Sequence, residues 1–233
     1  MVVDDPRRAG RSYGQYCGVA RGLDLVGERW TLLIVRDLLI GPKRYKDLLD
    51  GLPGIGTNLL AARLRDMEER GLIRRTVLPP PAGSTVYELT DLGQELEPVV
   101  MALGRFGARF LGPLQDSDRL LPSTLFVAMR ARFRSDLARG LQETYEFHVD
   151  RHVFEVVVDD GACRTREGQA HAPDAVFTME VRTLYAMLRE GLSTEEAIAN
   201  GRVEVKGDPK LLARWAQLFQ LLQPTNGTVA SAA

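Results

Sequence analysis

Cysteine is nearly absent from this chain. The 233 residues hold two, Cys17 and Cys163, far apart and without the spacing of a disulfide framework. No apolar run approaches the roughly 20 residues that a membrane helix needs. The first residues, with Asp4, Asp5, Arg7, Arg8 and Arg11, have no apolar stretch and do not read as a secretory signal. These absences lead us to expect a cytoplasmic protein with no membrane partner. No Ser/His/Asp order, glycine-rich phosphate loop or supported carboxylate pair stands out, so neither enzyme chemistry nor a cofactor is expected. An excess of charge is missing too: 30 Lys and Arg against 31 Asp and Glu leave a net −1. That balance argues against a protein that coats nucleic acid without selectivity. The hydrophobic share of 45% and charged share of 26% are those of a soluble globular protein. The length suits one large or two ordinary domains.

What is present is concentrated between Arg29 and Thr90. Trp30 to Ile40 reads as an apolar helix closed by Gly41-Pro42, and Tyr45 to Leu52 as a short second helix. Gly54-Ile55-Gly56 is a turn. Thr57 to Arg70 is a third helix, with Thr57 as its N-cap and Gly71 as its stop. Leu72–Leu78 and Thr85–Leu89 are β-like and joined by Pro79-Pro80-Pro81-Ala82-Gly83-Ser84. Helices, a tight turn, a recognition helix and a two-stranded ribbon predict a mainly α winged helix-turn-helix, a shape that enters the major groove of DNA. Lys43 to Arg75 holds eight basic and five acidic residues, so the charge favours DNA only locally.

At 3.6 residues per turn, Leu60, Leu64 and Met67 share one face of the third helix. Asn58, Ala61, Ala62 and Arg65 share the opposite one. Alanines permit close approach to a groove, while Asn and Arg read adenine and guanine edges. Arg63, at the border of the apolar stripe, is placed for a phosphate. Lys43 and Arg44 in the turn, Thr57, and Ser84 and Thr85 on the wing complete the expected DNA-binding set. The plain alternative is an ordinary amphipathic surface helix.

This segment resembles the HxlR family of bacterial winged-helix regulators, close to the MarR-type repressors. The resemblance rests on Cys17-Gly18-Val19-Ala20, Leu23-Asp24-Leu25-Val26-Gly27, Arg29-Trp30-Thr31-Leu32-Leu33-Ile34 and Arg36-Asp37-Leu38-Leu39. It continues through Gly41-Pro42-Lys43-Arg44-Tyr45, Leu52-Pro53-Gly54-Ile55, Gly71-Leu72-Ile73 and Tyr87-Glu88-Leu89-Thr90. It implies a homodimer on palindromic double-stranded operator DNA. Tyr45 and Gly56 depart from the usual Phe and Ser of the family, which moves the expected cap to Thr57. The resemblance also places Cys17 where several such regulators carry a sensing thiol. A cysteine at a helix N-terminus has a lowered pKa and reacts with electrophiles, with Arg21 one turn along to help. Burial in an interface is the other reading of Cys17.

Asp91 to Leu111 reads as one long helix with Leu92, Leu96, Val99, Val100, Leu103, Phe106 and Phe110 in a wide stripe. We expect it to be the dimer helix, with packing on the second domain as the alternative. The expected organisation is a flexible tail at 1–15, the DNA-binding and dimerisation domain at 16–112, a linker at 113–122, a second domain at 123–223 and a disordered tail at 224–233.

The second domain reads as a helix at Ser123–Leu141 and β-like runs at Thr144–Val149, Val153–Val158, Ala162–Arg166 and Ala175–Met179. Helices follow at Val181–Glu190, Thr194–Asn200 and Pro209–Leu222, around a short strand at Val203–Lys206. This predicts an α+β domain with helices on one face of an antiparallel sheet. Pro173-Asp174-Ala175, Ala197-Ile198-Ala199 and Val205-Lys206-Gly207-Asp208-Pro209 resemble the sterol-carrier-protein type of domain, which implies a lipophilic pocket. Phe126, Met129, Phe133, Phe154, Phe177, Trp215 and Phe219 are the pocket candidates, and they serve equally as an ordinary core. His148, Asp150 and His152 would share a face on a continuous strand, as metal ligands do. A hairpin corner at Asp150-Arg151 would part them, and no metal is expected. The function expected is a dimeric DNA-binding regulator, read as a repressor, modulated by a small lipophilic effector. The alternatives are a redox or electrophile sensor through Cys17, and a lipophile carrier or enzyme.

Overall fold

The computed structural model describes residues 12–78, 83–115 and 117–220. Residues 1–11 of the tail expected at 1–15, the tail expected at 224–233, the wing tip at 79–82 and residues 221–222 of the helix expected to reach Leu222 lie outside them. The chain divides into two compact units between Val100 and Met101, inside a helix, whereas sequence reading puts the boundary at 113–122.

The first unit opens with α1 (Gly18–Val26), α2 (Thr31–Leu38), α3 (Tyr45–Gly51) and α4 (Thr57–Glu69). Its core is made by Ile34, Val35, Leu38, Leu48, Leu52, Leu60, Leu64 and Met67, all at most 2% exposed. Full burial of each such side chain stabilises the unit by about 1.5–3 kcal/mol. Gly71, at φ 71°, ends α4 in the left-handed conformation that a side chain resists. The chain then returns as an antiparallel hairpin, β1 (Ile73–Val77) and β2 (Thr85–Leu89), with Ile73 opposite Leu89 and Val77 opposite Thr85. Lys43 adds a bridge to this wing, exchanging backbone hydrogen bonds with Tyr87 at 2.9 and 2.8 Å.

The long helix expected over Asp91–Leu111 is broken. Thr90 caps α5 (Asp91–Gln94) by accepting the Gly93 amide, and α6 (Glu97–Gly107) starts afresh before a 3₁₀ turn at Ala108–Phe110. Pro98, in the first turn of α6, lacks the amide that would continue the first helix. Gly93 is buried where any Cβ would overlap the Leu72 carbonyl, so α5 can lie directly on the hairpin. The expected mobile tail is also tied at its end. Ser12 Oγ and the Tyr13 amide donate to the Asp24 carboxylate at 2.9 and 3.0 Å.

In the second unit α7 (Pro122–Arg130) is shorter than expected, and residues beyond it form turns, leaving Leu137 half exposed. Strands β3 (Gln142–Val149), β4 (His152–Asp159), β5 (Ala162–Glu167), β6 (Ala175–Met179) and β7 (Val203–Gly207) form one sheet in the order β5-β4-β3-β6-β7. The sheet is mixed rather than antiparallel, because β3 and β6 run parallel. A parallel neighbour needs a crossover, and β4 and β5 with the loop after them occupy the connection between β3 and β6. Asp159-Asp160-Gly161 turns the β4–β5 hairpin with Asp160 and Gly161 at positive φ, as a two-residue hairpin requires. Tyr145, Phe147 and Val149 stand in register with Ala175, Phe177 and Met179 and make one buried apolar face. Helices α8 (Val181–Tyr185), α9 (Thr194–Ala199) and α10 (Lys210–Leu218) follow, and Trp215 of α10 packs its ring 4.6 Å from that of Phe147.

Candidate nucleic-acid interface

Helix α4 presents three faces. Leu60, Leu64 and Met67 are buried against the unit. Thr57, Asn58, Ala62 and Arg65 are exposed. Between these faces lie Arg63, Asp66 and Arg70, which bind the helix to the rest of the unit. Arg70 donates to the Asp24 carbonyl at 2.6 Å and to Asp66 at 2.8 Å. The Tyr45 hydroxyl donates to the Thr57 carbonyl at 2.7 Å, setting the start of α4 against α3. The exposed face is thus held by buried residues and by hydrogen bonds that the face itself does not use.

The structure changes two assignments. Gly56, not Thr57, is the N-cap of α4, and no side chain caps it. Thr57 stands at the first helical position, exposed. Arg63 does not point to a phosphate. Its guanidinium turns inward to Glu28 at 3.2 Å and Asp66 at 3.5 Å, with the side chain 14% exposed. One position along the helical border was enough to exchange solvent for carboxylates. Arg65 remains exposed and, among the described residues, has no carboxylate partner.

The wing contributes a basic pair absent from the expected set. Arg74 and Arg75 have exposed side chains and bind Glu88 at 2.8 Å and Glu68 at 3.3 Å. These hydrogen bonds raise the pKa of both guanidiniums, so the pair stays charged. Thr85 is exposed at the start of β2, Ser84 precedes it half-buried, and Arg44 is exposed before α3. Lys43 is half-buried in the bridge to Tyr87.

Two relatives carry the same segment. The HTH-type regulator sll1512 of Synechocystis is 38% identical over 98 residues, 42% of this chain and 73% of its own length. YodB of Bacillus subtilis, an HTH-type transcriptional regulator, is 35% identical over 89 residues, 38% of this chain and 80% of its own. The HxlR-like helix-turn-helix family matches residues 25–115. The chain belongs to that family. This HxlR-like transcriptional regulator therefore carries a DNA-binding winged helix. A solved MarR-family structure from Porphyromonas gingivalis W83 shares 28% identity over 43% of this chain and 99% of its own, with a TM-score of 0.39. Residues 128–220 match the SCP-2 sterol transfer family.

In that second unit the six aromatic pocket candidates come together, joined through Phe147, and Met129 is buried. Phe126 stacks on Phe154 with centroids 4.2 Å apart, Trp215 lies 5.7 Å from Phe219, and Phe219 lies 5.3 Å from Phe133. Phe133 is half-buried and the other six are at most 1% exposed. The rings touch, so entry of a ligand requires them to part. Within this cluster the Trp215 Nε1–H is buried without a hydrogen-bond partner. The histidines diverge. Asp150 and Arg151 form the hairpin corner, His148 reaches Glu146 at 2.6 Å, and His152 reaches Glu167 at 2.7 Å. Among the described residues no three potential ligands converge on a metal site.

Cys17 is exposed at the N-cap of α1. The amides of Ala20 and then Val19 favour its thiolate and lower its pKa. Arg21 is not the cause, since it turns to Asp24 at 3.6 Å.

Proposed function

We propose that this regulator is a homodimeric repressor that reads a palindromic operator, binds without catalysing, and acts in the cytoplasm. The observation that carries the reading is the exposed Asn58–Ala62–Arg65 face. Arg63, Arg70, Arg74 and Arg75 hold carboxylates, while Arg65 has none among the described residues and shares its face with an asparagine and a small residue. That combination suits base edges rather than phosphate. Val99, Leu103, Phe106, Phe110 and Leu111 are 46–69% exposed, an apolar strip that suits a second copy of the chain. Two recognition helices in such a dimer stand about one DNA turn, ~34 Å, apart.

The effector we propose is a small lipophilic molecule in the aromatic cluster of the second unit. The unpartnered Trp215 Nε1–H supports a ligand with a hydrogen-bond acceptor. Such a ligand moves DNA affinity only through its differential affinity for the two forms of the dimer, about 5–150-fold for typical couplings. A second reading, thiol sensing, is favoured by the exposure and lowered pKa of Cys17.

The test is a gel shift with the chain's own upstream DNA, repeated with lipophilic candidates and with a mild oxidant. Failure to select that DNA over a scrambled duplex refutes the repressor reading. A response to lipophile that survives Trp215→Phe and Phe126→Leu refutes the assigned pocket. Loss of an oxidant response in Cys17→Ser, beside a wild type that responds, makes the thiol the switch.

A further inference from the structure

A cleft of about 510 Å³ opens in the first unit, far in sequence from the aromatic cluster. Ser12 and Tyr13 of the N-terminal segment line it, with Leu23, Asp24, Gly27 and Glu28 of α1 and the loop after it, and Arg63, Asp66 and Arg70 of the recognition helix. The volume falls within the range of small-molecule sites. Arg63 and Asp66 of α4 and Arg70 at its C-cap make a third of the lining, on the flank between the core face and the DNA-facing face.

The chemistry of the lining is specific. Each carboxylate is already engaged: Asp24 by Ser12, Tyr13 and Arg21, Asp66 by Arg70 and Arg63, and Glu28 by Arg63. What is left over is a donor. Arg63 Nε is buried with no acceptor. Its other contacts, at 3.2 and 3.5 Å, are longer than the roughly 2.7–2.9 Å of a tight charged pair. The cleft thus lacks an acceptor. Three carboxylates are balanced by the three guanidiniums that engage them, Arg21, Arg63 and Arg70, so the cleft carries no net charge to draw an ion of either sign. Tyr13 and Leu23, which also line it, are 62% and 45% exposed.

We infer that this cleft is a second effector site, and that it takes a small uncharged aromatic molecule bearing a carbonyl group, such as an aryl amide, ketone or ester. The carbonyl accepts from Arg63 Nε as the side chain turns away from Glu28, and the ring lies against Tyr13 and Leu23. The ligand then touches α4 directly and loosens one of the ties that fix it, so that operator affinity falls.

Three isosteric probes separate the possibilities on the full-length protein: benzamide, benzoate and benzylamine, titrated by saturation-transfer NMR. Benzamide binds at least about fivefold tighter than either charged probe. Leu23→Trp, which fills the cleft from a position outside the core, abolishes that binding. Arg63→Met weakens it by about tenfold, the worth of one hydrogen bond to a charged donor. Should Arg63→Met fail to fold, Leu23→Trp decides alone. Equal binding of benzoate or benzylamine, or benzamide binding that survives Leu23→Trp, overturns the site. Saturating benzamide lowers operator affinity in anisotropy assays, and an unchanged affinity overturns the effector role.

Discussion

Arg65 and Arg63 lie two positions apart on one helix, and the structure gives them opposite fates. Replacing Arg65 by alanine removes an exposed side chain that holds no carboxylate among the described residues. One good base contact is worth about 1–3 kcal/mol. A symmetric dimer loses two, so the operator complex weakens by about 2–6 kcal/mol, roughly 30-fold to 10⁴-fold. A scrambled duplex, which offers no cognate base, loses far less. Arg63→Ala instead removes the tie to Glu28 and Asp66, whose side chains are 36% and 31% exposed. At that exposure the pairs are worth about 1 kcal/mol or less, a shift of a few degrees in melting temperature. The slope of log affinity against log salt should not change, because no phosphate contact is lost. Fluorescence anisotropy on operator and scrambled duplexes over a salt series, beside thermal melts, reads both variants. An Arg65→Ala loss that is equal on both duplexes refutes base reading. A flattened salt slope in Arg63→Ala refutes its inward assignment.

The dimer reading expects Leu103→Asp with Phe106→Asp to give a monomer by light scattering at micromolar concentration, while a dimer of unchanged affinity counts against it. Gly93→Ala forces a Cβ into the Leu72 carbonyl and should cost about 1–3 kcal/mol or more in denaturant titrations, with wild-type stability as the refuting result. Cys17, its thiolate favoured by the Ala20 and Val19 amides, should be alkylated by iodoacetamide with a pH midpoint below that of a free cysteine. A midpoint at or above the free value contradicts the geometry. The Tyr13 amide, then burial opposing it and the Ser12 hydroxyl, leave the Asp24 carboxyl below the usual carboxylate range. A depressed carboxyl stabilises above its unfolded pKa and loses that contribution as pH falls through the folded one. The Tyr13 amide proton should therefore report the tie as intact at neutral pH and released in acid, whereas in Asp24→Asn its signal should not titrate.

Much of the first unit was legible because it is built from short periodic pieces. Leu60, Leu64 and Met67 recur at helical spacing and are buried, and the wing runs end within a residue or two of β1 and β2. Local chemistry was less legible. Both Gly56 and Thr57 are acceptable before a helix, and only the backbone at Gly56, extended at ψ 148°, decides which is the cap. Arg63 sits at the edge of the apolar stripe, where phosphate and carboxylate are equally open to it. The partner that decided, Glu28, lies 35 residues away, and periodicity cannot see a contact of that separation. The apolar stripe over Asp91–Leu111 ran continuously through Pro98, so a rule based on spacing alone joined two helices that the missing amide separates.

The same distinction explains the second unit. Each strand was found from its own composition, yet the parallel pairing of β3 with β6 depends on which strands meet, and alternation is identical for either direction. The aromatic residues were found as a set, but a set of rings reads the same as a core and as a pocket wall. The atom that separates these readings is a nitrogen. A core made for packing alone has no use for the Trp215 N–H, whose burial without a partner costs free energy that Phe would not incur. The first unit repeats the pattern at Arg63 Nε. In both units an unsatisfied donor lies where the argument for a ligand is otherwise only shape, and that pairing is what gives each proposed effector an acceptor to carry.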